Sequence, residues 1–143
     1  MLVNLSLGTL MISVTVVIHT FGLIGITYAM GRITALFRNR QHRSRILAMN
    51  TVVLGVFGVL TAEIWFWAMC YHLIGFTGSF ADALYFATIT FSTVGYGDIV
   101  PPEEWRMLAA LEGINGFLLI GWSTAYLVTA GIRVGPFRSG EHF

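Results

Sequence analysis

Thr93-Val94-Gly95-Tyr96-Gly97-Asp98 joins residue types that can present oxygen atoms to a common axis. Gly95 and Gly97, one residue apart, tolerate backbone dihedrals that a side chain forbids, so successive carbonyls can turn the same way. Val94 and Tyr96 then point away from that axis and can pack. Thr93 can add a hydroxyl at one end of the row, and Asp98 places a carboxylate just beyond the other. Taken alone, a Gly-Tyr-Gly-Asp string reads as an ordinary turn. Its setting argues for more: a short helix-like segment precedes it, and long apolar segments lie on both sides. Elsewhere, no nucleophile, base and orienting group recur at catalytic spacing, so the chain is not expected to be an enzyme. Glu63, Glu112, His19 and His72 can in principle hold a metal or a proton, yet their spacing forms no ligand cluster.

The elements that must position this loop are dictated by composition. The chain has 143 residues, 56% hydrophobic and 10% charged, with a mean hydropathy of +0.76. A soluble domain carries roughly a quarter charged residues, so a membrane protein is expected, all-α by the length of its apolar segments. The net charge of +1 gives no reason to expect a nucleic-acid partner, and nothing points to an organic cofactor. All eight basic residues are arginine, a bias without physical account. Cys70 is the single cysteine, so no intrachain disulfide can form, and it reads as a small buried hydrophobe. No basic residue precedes Arg32 and no small-residue cleavage site follows the first apolar run, so that run is expected to remain in the mature protein.

The first span is expected from Leu5 to about Met30, within an N-terminal segment 1–37, long enough to cross a hydrocarbon core of about 30 Å. His19 sits near its middle, where it is a proton-sensing candidate or, by preference, a neutral imidazole bonded to a nearby Ser, Thr or carbonyl. Gly22 and Gly25 allow close helix contact but lack the four-residue repeat of small residues. The basic stretch 38–45 carries Arg38, Arg40, Arg43 and Arg45, which suit a cytoplasmic loop and anionic lipid. Their intervals of two, three and two do not place them along one helix face, which excludes a voltage-sensing helix. A second span is expected over 46–74. Trp65, Phe66, Trp67 and Tyr71 crowd its far end like an interfacial aromatic belt. Glu63 within it must be paired, hydrogen-bonded or protonated, and bracing the loop segment is the preferred role. Ser79 and Asp82 suggest a capped start for a short helix over 79–92, too short to span and therefore re-entrant. Pro101 and Pro102 end the loop, and a last helix over 104–132 follows, with acidic residues at its start. Glu112 in that helix is expected to face protein rather than lipid.

These features together resemble the small bacterial potassium channels of the two-helix pore-domain, or ion-channel, family, with one extra N-terminal helix. The six loop residues carry the resemblance, and Glu63-Ile64-Trp65-Phe66-Trp67-Ala68 with Tyr71 looks like the family's outer helix. Potassium channels are the established case in which four such loops replace the hydration shell of K⁺ with backbone carbonyls. The resemblance therefore implies K⁺ at Thr93, Val94, Gly95 and Tyr96, with Gly97 completing the filter. It implies a pore domain over 46–132: outer helix 46–74, pore helix 79–92, filter 93–98 and inner helix 104–132. A tail over 133–143 follows. Ala83-Leu84-Tyr85-Phe86 matches the pore helix, with Tyr85 where many members carry Trp. Ile89 stands where some carry a Glu that contacts the filter Asp, so Tyr85 to Asp98 is the expected substitute. Asp98, Tyr85 and Glu63 are thus candidate filter supports. Gly113, Gly116 and Gly121 interrupt the inner helix. By resemblance Gly116, with Gly121 as a further candidate, is the gating bend, against an equal case for close helix packing. Phe117, Ile120, Thr124 and Val128 fall at helical spacing and are candidate cavity-lining residues, although Trp122 and Tyr126 compete for that face.

One filter strand per chain implies a homotetramer in the bilayer. Arginines gather in the 38–45 stretch and after the last span, and acidic residues around the loop. The N-terminus is therefore expected outside and the C-terminus in the cytoplasm, in the plasma membrane of a bacterium. About eleven residues follow Ile132, so no soluble regulatory domain is expected. The expectation is a K⁺-selective channel; the alternative is a non-conducting, modulatory subunit that assembles with another channel.

Overall fold

The structure, a computed structural model, describes residues 1–36 and 41–134, with the side chains of 41–44 and 134 left aside. Every regular element among them is helical: α1 (Leu2–Leu36), α2 (Gln41–Leu73), α3 (Phe80–Phe91), a 3₁₀ turn (Glu103–Trp105) and α4 (Arg106–Val134). Among the described residues, three stretches are long and apolar enough to cross a membrane: Leu2–Leu36, Arg45–Leu73 and Glu103–Arg133. The short α3, at 12 residues, is not. Large apolar side chains such as Leu10, Phe21, Leu54, Phe57 and Leu118 lie exposed on the three long helices, the inverse of a water-soluble surface.

Two helices run further than expected. α1 continues past Met30 to Leu36, and α2 starts at Gln41 rather than at Ile46. Neither extension contains proline, and Gln and Arg are good helix formers, so nothing local stops the backbone. Gln41 to Arg45 is therefore the first turn of α2 and not loop. Arg38, Arg40 and the segment 135–143 lie outside the described residues, as does the side chain of Arg43.

The ends of α2 and α3 follow from a few residues. Gly75, at φ 71, takes the left-handed position just past α2, and its N–H donates to the His72 carbonyl. Phe76 N–H reaches back to the Tyr71 carbonyl, and the two rings stack with centroids 4.8 Å apart. This pair of bonds plus an apolar contact is the Schellman stop. Ser79 then caps α3, its Oγ accepting from Asp82 N–H at 3.1 Å.

The chain divides into two compact units. The first comprises residues 1–19 and 60–120, and its core joins Met11, Trp67, Tyr71, Phe76, Phe86, Phe91 and Leu108. Phe86 meets Tyr71 edge-on at 5.2 Å and Phe76 at 4.6 Å, so α3 is seated on an aromatic cluster. The expected aromatic belt is corrected here: Trp65 is exposed, but Trp67 and Tyr71 are fully buried. They lie one turn apart on the inward face of α2, and burial against α3 outweighs placement at an interface. The second unit comprises, among the described residues, 20–36, 41–59 and 121–134. In it Val59 presses on Gly22 and Ile26 on Gly55, while Gly25 faces open space. Tyr126 Oη lies 2.8 Å from Thr27 Oγ1 and donates to the Leu23 carbonyl at 3.4 Å, which turns that ring toward α1.

Candidate functional site

The loop 93–98 hangs from the C-terminus of α3. Ser92 N–H donates to Thr88 O, Thr93 N–H to Thr90 O and Gly95 N–H to Ile89 O, so the loop itself satisfies the Ile89 and Thr90 carbonyls near the helix end. Thr93 occupies the left-handed position that Gly75 fills after α2, with φ 61. Threonine there is a steric outlier, because its branched Cβ crowds the following carbonyl. Gly95 and Gly97 have φ 54 and 78, whereas Val94 and Tyr96 are not left-handed. In an extended strand successive carbonyls point to opposite sides. A change of φ sign at every second residue lets them lie on one side, the arrangement the two glycines make accessible. All six residues are exposed, Val94 and Tyr96 included.

Around the loop, α3 and α4 hold both ends. Tyr85 Oη donates to Asp98 Oδ2 at 2.7 Å, which ties the far end of the loop to the middle of α3. That bond, with a smaller contribution from desolvation, raises the Tyr85 pKa above the ordinary tyrosine value and keeps it a donor. At the near end α4 meets Phe91, the last residue of α3, backbone to backbone: a Cβ on Gly116 would lie 2.0 Å from Phe91 O. Gly113, one turn earlier, stands 3.7 Å from Thr90 O by the same measure, and Gly121 has nothing within 4 Å. Close approach thus accounts for the missing side chain at Gly116, and α4 is continuous through both Gly116 and Gly121. Phe117, Thr124 and Val128 are exposed on α4 and Ile120 is half-buried.

The buried carboxylates have partners that the sequence did not reveal. Glu112 Oε2 accepts from Tyr71 Oη at 2.7 Å, both groups fully buried. Glu63 Oε1 lies 2.9 Å from His19 Nδ1, again with both side chains fully buried. Glu63 therefore meets α1 rather than the loop segment, and His19 has a carboxylate as a partner. α1 also sends Asn4 Nδ2 to the Glu104 carbonyl and receives Asn115 Nδ2 on Thr15 Oγ1 at 2.9 Å. One sequence signal marked this face. Asn4, Gly8, Met11, Thr15 and His19 recur at three- and four-residue steps, and all five are buried. A stripe of polar and small residues along an apolar helix is addressed to protein rather than to lipid.

Comparison with known proteins bears on the same region. A family described as "Ion channel" matches residues 58–133. Two-pore potassium channel 1 of Arabidopsis thaliana is 46% identical over 46 residues, 32% of this chain and 13% of that protein. Two-pore potassium channel 4 of the same plant is 72% identical over 25 residues, 18% of this chain and 9% of the relative. Intermediate conductance calcium-activated potassium channel protein 4 of Rattus norvegicus is 38% identical over 66 residues, 46% of this chain and 15% of its own length. The chain thus spans only a small part of each relative. No solved structure gives a significant match.

Proposed function

The chain belongs to the ion-channel family, and from that premise we propose that it forms a potassium-selective pore as a homotetramer, with residues 93–98 as one wall of the filter. The observation that carries this reading is the alternation of φ along the loop, left-handed at Thr93, Gly95 and Gly97 only. K⁺ would sit between the carbonyls of Thr93, Val94, Gly95 and Tyr96, with the Thr93 hydroxyl at the inner end and Gly97 allowing the turn outward. One row of carbonyls covers one side of an ion, so four chains close the cage around an axis. The exposure of the whole loop in a single chain supports that assembly. Potassium channels among the relatives support K⁺ as the permeant ion. The C-terminal end of α3 directs its negative dipole to the inner side of the filter and favours a cation there.

Below the filter, Phe117, Ile120, Thr124 and Val128 line the cavity, and Gly121, with open space around it, is the better bend now that Gly116 is committed to Phe91. Asp98 with Tyr85 braces the outer mouth. The N-terminus lies outside and the arginines of 38–45 inside, where they meet anionic lipid. The test is flux from the purified full chain in liposomes, under K⁺ and Na⁺ gradients in turn. A barium-sensitive K⁺ flux far above the Na⁺ flux is expected; a stable tetramer silent at every pH and voltage would instead favour a modulatory subunit.

A further inference from the structure

The first helix stands outside the family match, which begins at residue 58, yet it grips the parts that hold the loop. Within the first unit Asn4 bonds the Glu104 carbonyl ahead of α4. Gly8 lets Leu111 approach so closely that a Cβ there would lie 2.5 Å from Leu111 Cδ1. Thr15 then receives Asn115. The last contact has a defined polarity. The Thr15 hydroxyl gives its one proton back into α1, to Ile12 O at 2.9 Å and Met11 O at 3.1 Å, and so can only accept from Asn115 Nδ2. Thr15 is fully buried and Asn115 is 2% exposed. An amide left without a partner in such surroundings is costly, so the rotation of α4 that brings Asn115 to Thr15 is strongly selected.

Asn115 immediately precedes Gly116, whose Cα rests on the Phe91 carbonyl two residues before Thr93. Turning α4 by about 25° about its axis would move the Gly116 Cα by about 1 Å, given a helix radius of about 2.3 Å. A displacement of that size is enough to spoil a site built to sub-ångström tolerance. We propose that Thr15 of α1 and Asn115 of α4 are positioning residues for the filter, so that the N-terminal helix is part of the ion-selecting machinery. This rests on the filter reading given above.

The test compares wild type, Thr15→Val and Thr15→Ser as full chains. Two readouts are taken: the K⁺ to Na⁺ permeability ratio in liposomes, and the rise in melting temperature when K⁺ replaces Na⁺, which reports ion binding at the filter without conduction. Valine keeps the volume but cannot accept, and serine can. Thr15→Val is expected to lower the permeability ratio about tenfold, the scale of one lost buried hydrogen bond, and to lose most of the K⁺-specific protection, while Thr15→Ser keeps both. Should Thr15→Val fail to fold, the double change Thr15→Val with Asn115→Leu leaves no orphan amide and is read the same way. A wild-type ratio and full K⁺ protection in the valine or double variant would overturn the positioning role and leave the filter reading standing. A wild type with neither selective flux nor K⁺ protection would overturn both.

Discussion

Alanine at Gly116 and alanine at Gly113 should change stability in opposite directions, although the two glycines lie one turn apart on the same helix. A Cβ at 116 would sit 2.0 Å from Phe91 O, 2.7 Å from its carbonyl carbon and 2.8 Å from its Cα. Contacts become ordinary at 3.4 Å, so the helices must part by about 1.4 Å, the difference between that distance and 2.0 Å. All three obstacles are backbone atoms, and no rotamer change relieves them. Overpacking of this kind costs about 1–3 kcal/mol, against about 1 kcal/mol gained when alanine replaces glycine inside a helix. At Gly113 the nearest atom is 3.7 Å away, an ordinary contact, so the propensity gain stands alone. Gly116→Ala should therefore be less stable than wild type and Gly113→Ala more stable by about 1 kcal/mol, measured by thermal or denaturant unfolding in the same detergent. Because Phe91 leads into Thr93, the first variant should also lose K⁺ over Na⁺ discrimination. Wild-type stability in Gly116→Ala, with altered opening but intact selectivity, would refute the close approach and favour a bend at this residue.

Other substitutions probe the remaining contacts. Thr93→Gly removes a branched side chain from a left-handed position and should raise stability by about 1 kcal/mol while lowering K⁺ selectivity; a loss of stability would mean that the threonine is unstrained. His19→Ala strands a fully buried Glu63 carboxylate and should cost about 3 kcal/mol, part of it recovered by adding Glu63→Gln. Strictly additive losses in that double-mutant cycle would show that the two side chains do not interact. Tyr85→Phe deprives Asp98 of its donor and should change the decay of current during sustained opening; unchanged decay would discount the contact. Since the Tyr85 pKa is raised, its bond to Asp98 is fully present below the ordinary tyrosine value of about 10 and is lost only as pH rises through the higher folded value. The difference between wild type and Tyr85→Phe should therefore be the same at about pH 6 and about pH 9.

What was legible in the sequence was local. Ser79 with Asp82 marks a helix start, Gly75 marks a stop, and uninterrupted apolar runs mark the spans, because each signal acts within one or two turns. The Tyr85 to Asp98 bond was accessible through the family resemblance, since Ile89 stands where some members carry a Glu and Tyr85 is left as a donor for Asp98. Pairings between helices were not. The sequence shows that His19, Glu63 and Glu112 each need a partner within an apolar segment, but not which helix faces supply it. Tyr71 illustrates the difficulty. An aromatic residue near the end of a span suits an interface and a buried carboxylate equally well, and only the face that α2 turns toward α4 decides for Glu112. The start of α2 was misplaced for a related reason: a basic run resembles a loop by charge, while its backbone has no reason to leave the helix.

Thr93 ties these contacts into one argument. After α2 the left-handed stop is glycine, the residue that adopts it without cost. After α3 the same stop is threonine, at a cost of about 1–2 kcal/mol. Helix termination alone gives no reason for that choice. A loop that must begin with a hydroxyl in line with its carbonyls does, and the strain can persist only where the surroundings over-determine it. They do so here from three directions. Thr90 and Ile89 accept from the loop, Gly116 bears on the Phe91 backbone, and Tyr85 holds Asp98 at the far end. On the proposed reading the strained cap of α3 and the first ion site are the same residue, so loosening any of these supports should appear as lost selectivity before the fold is lost.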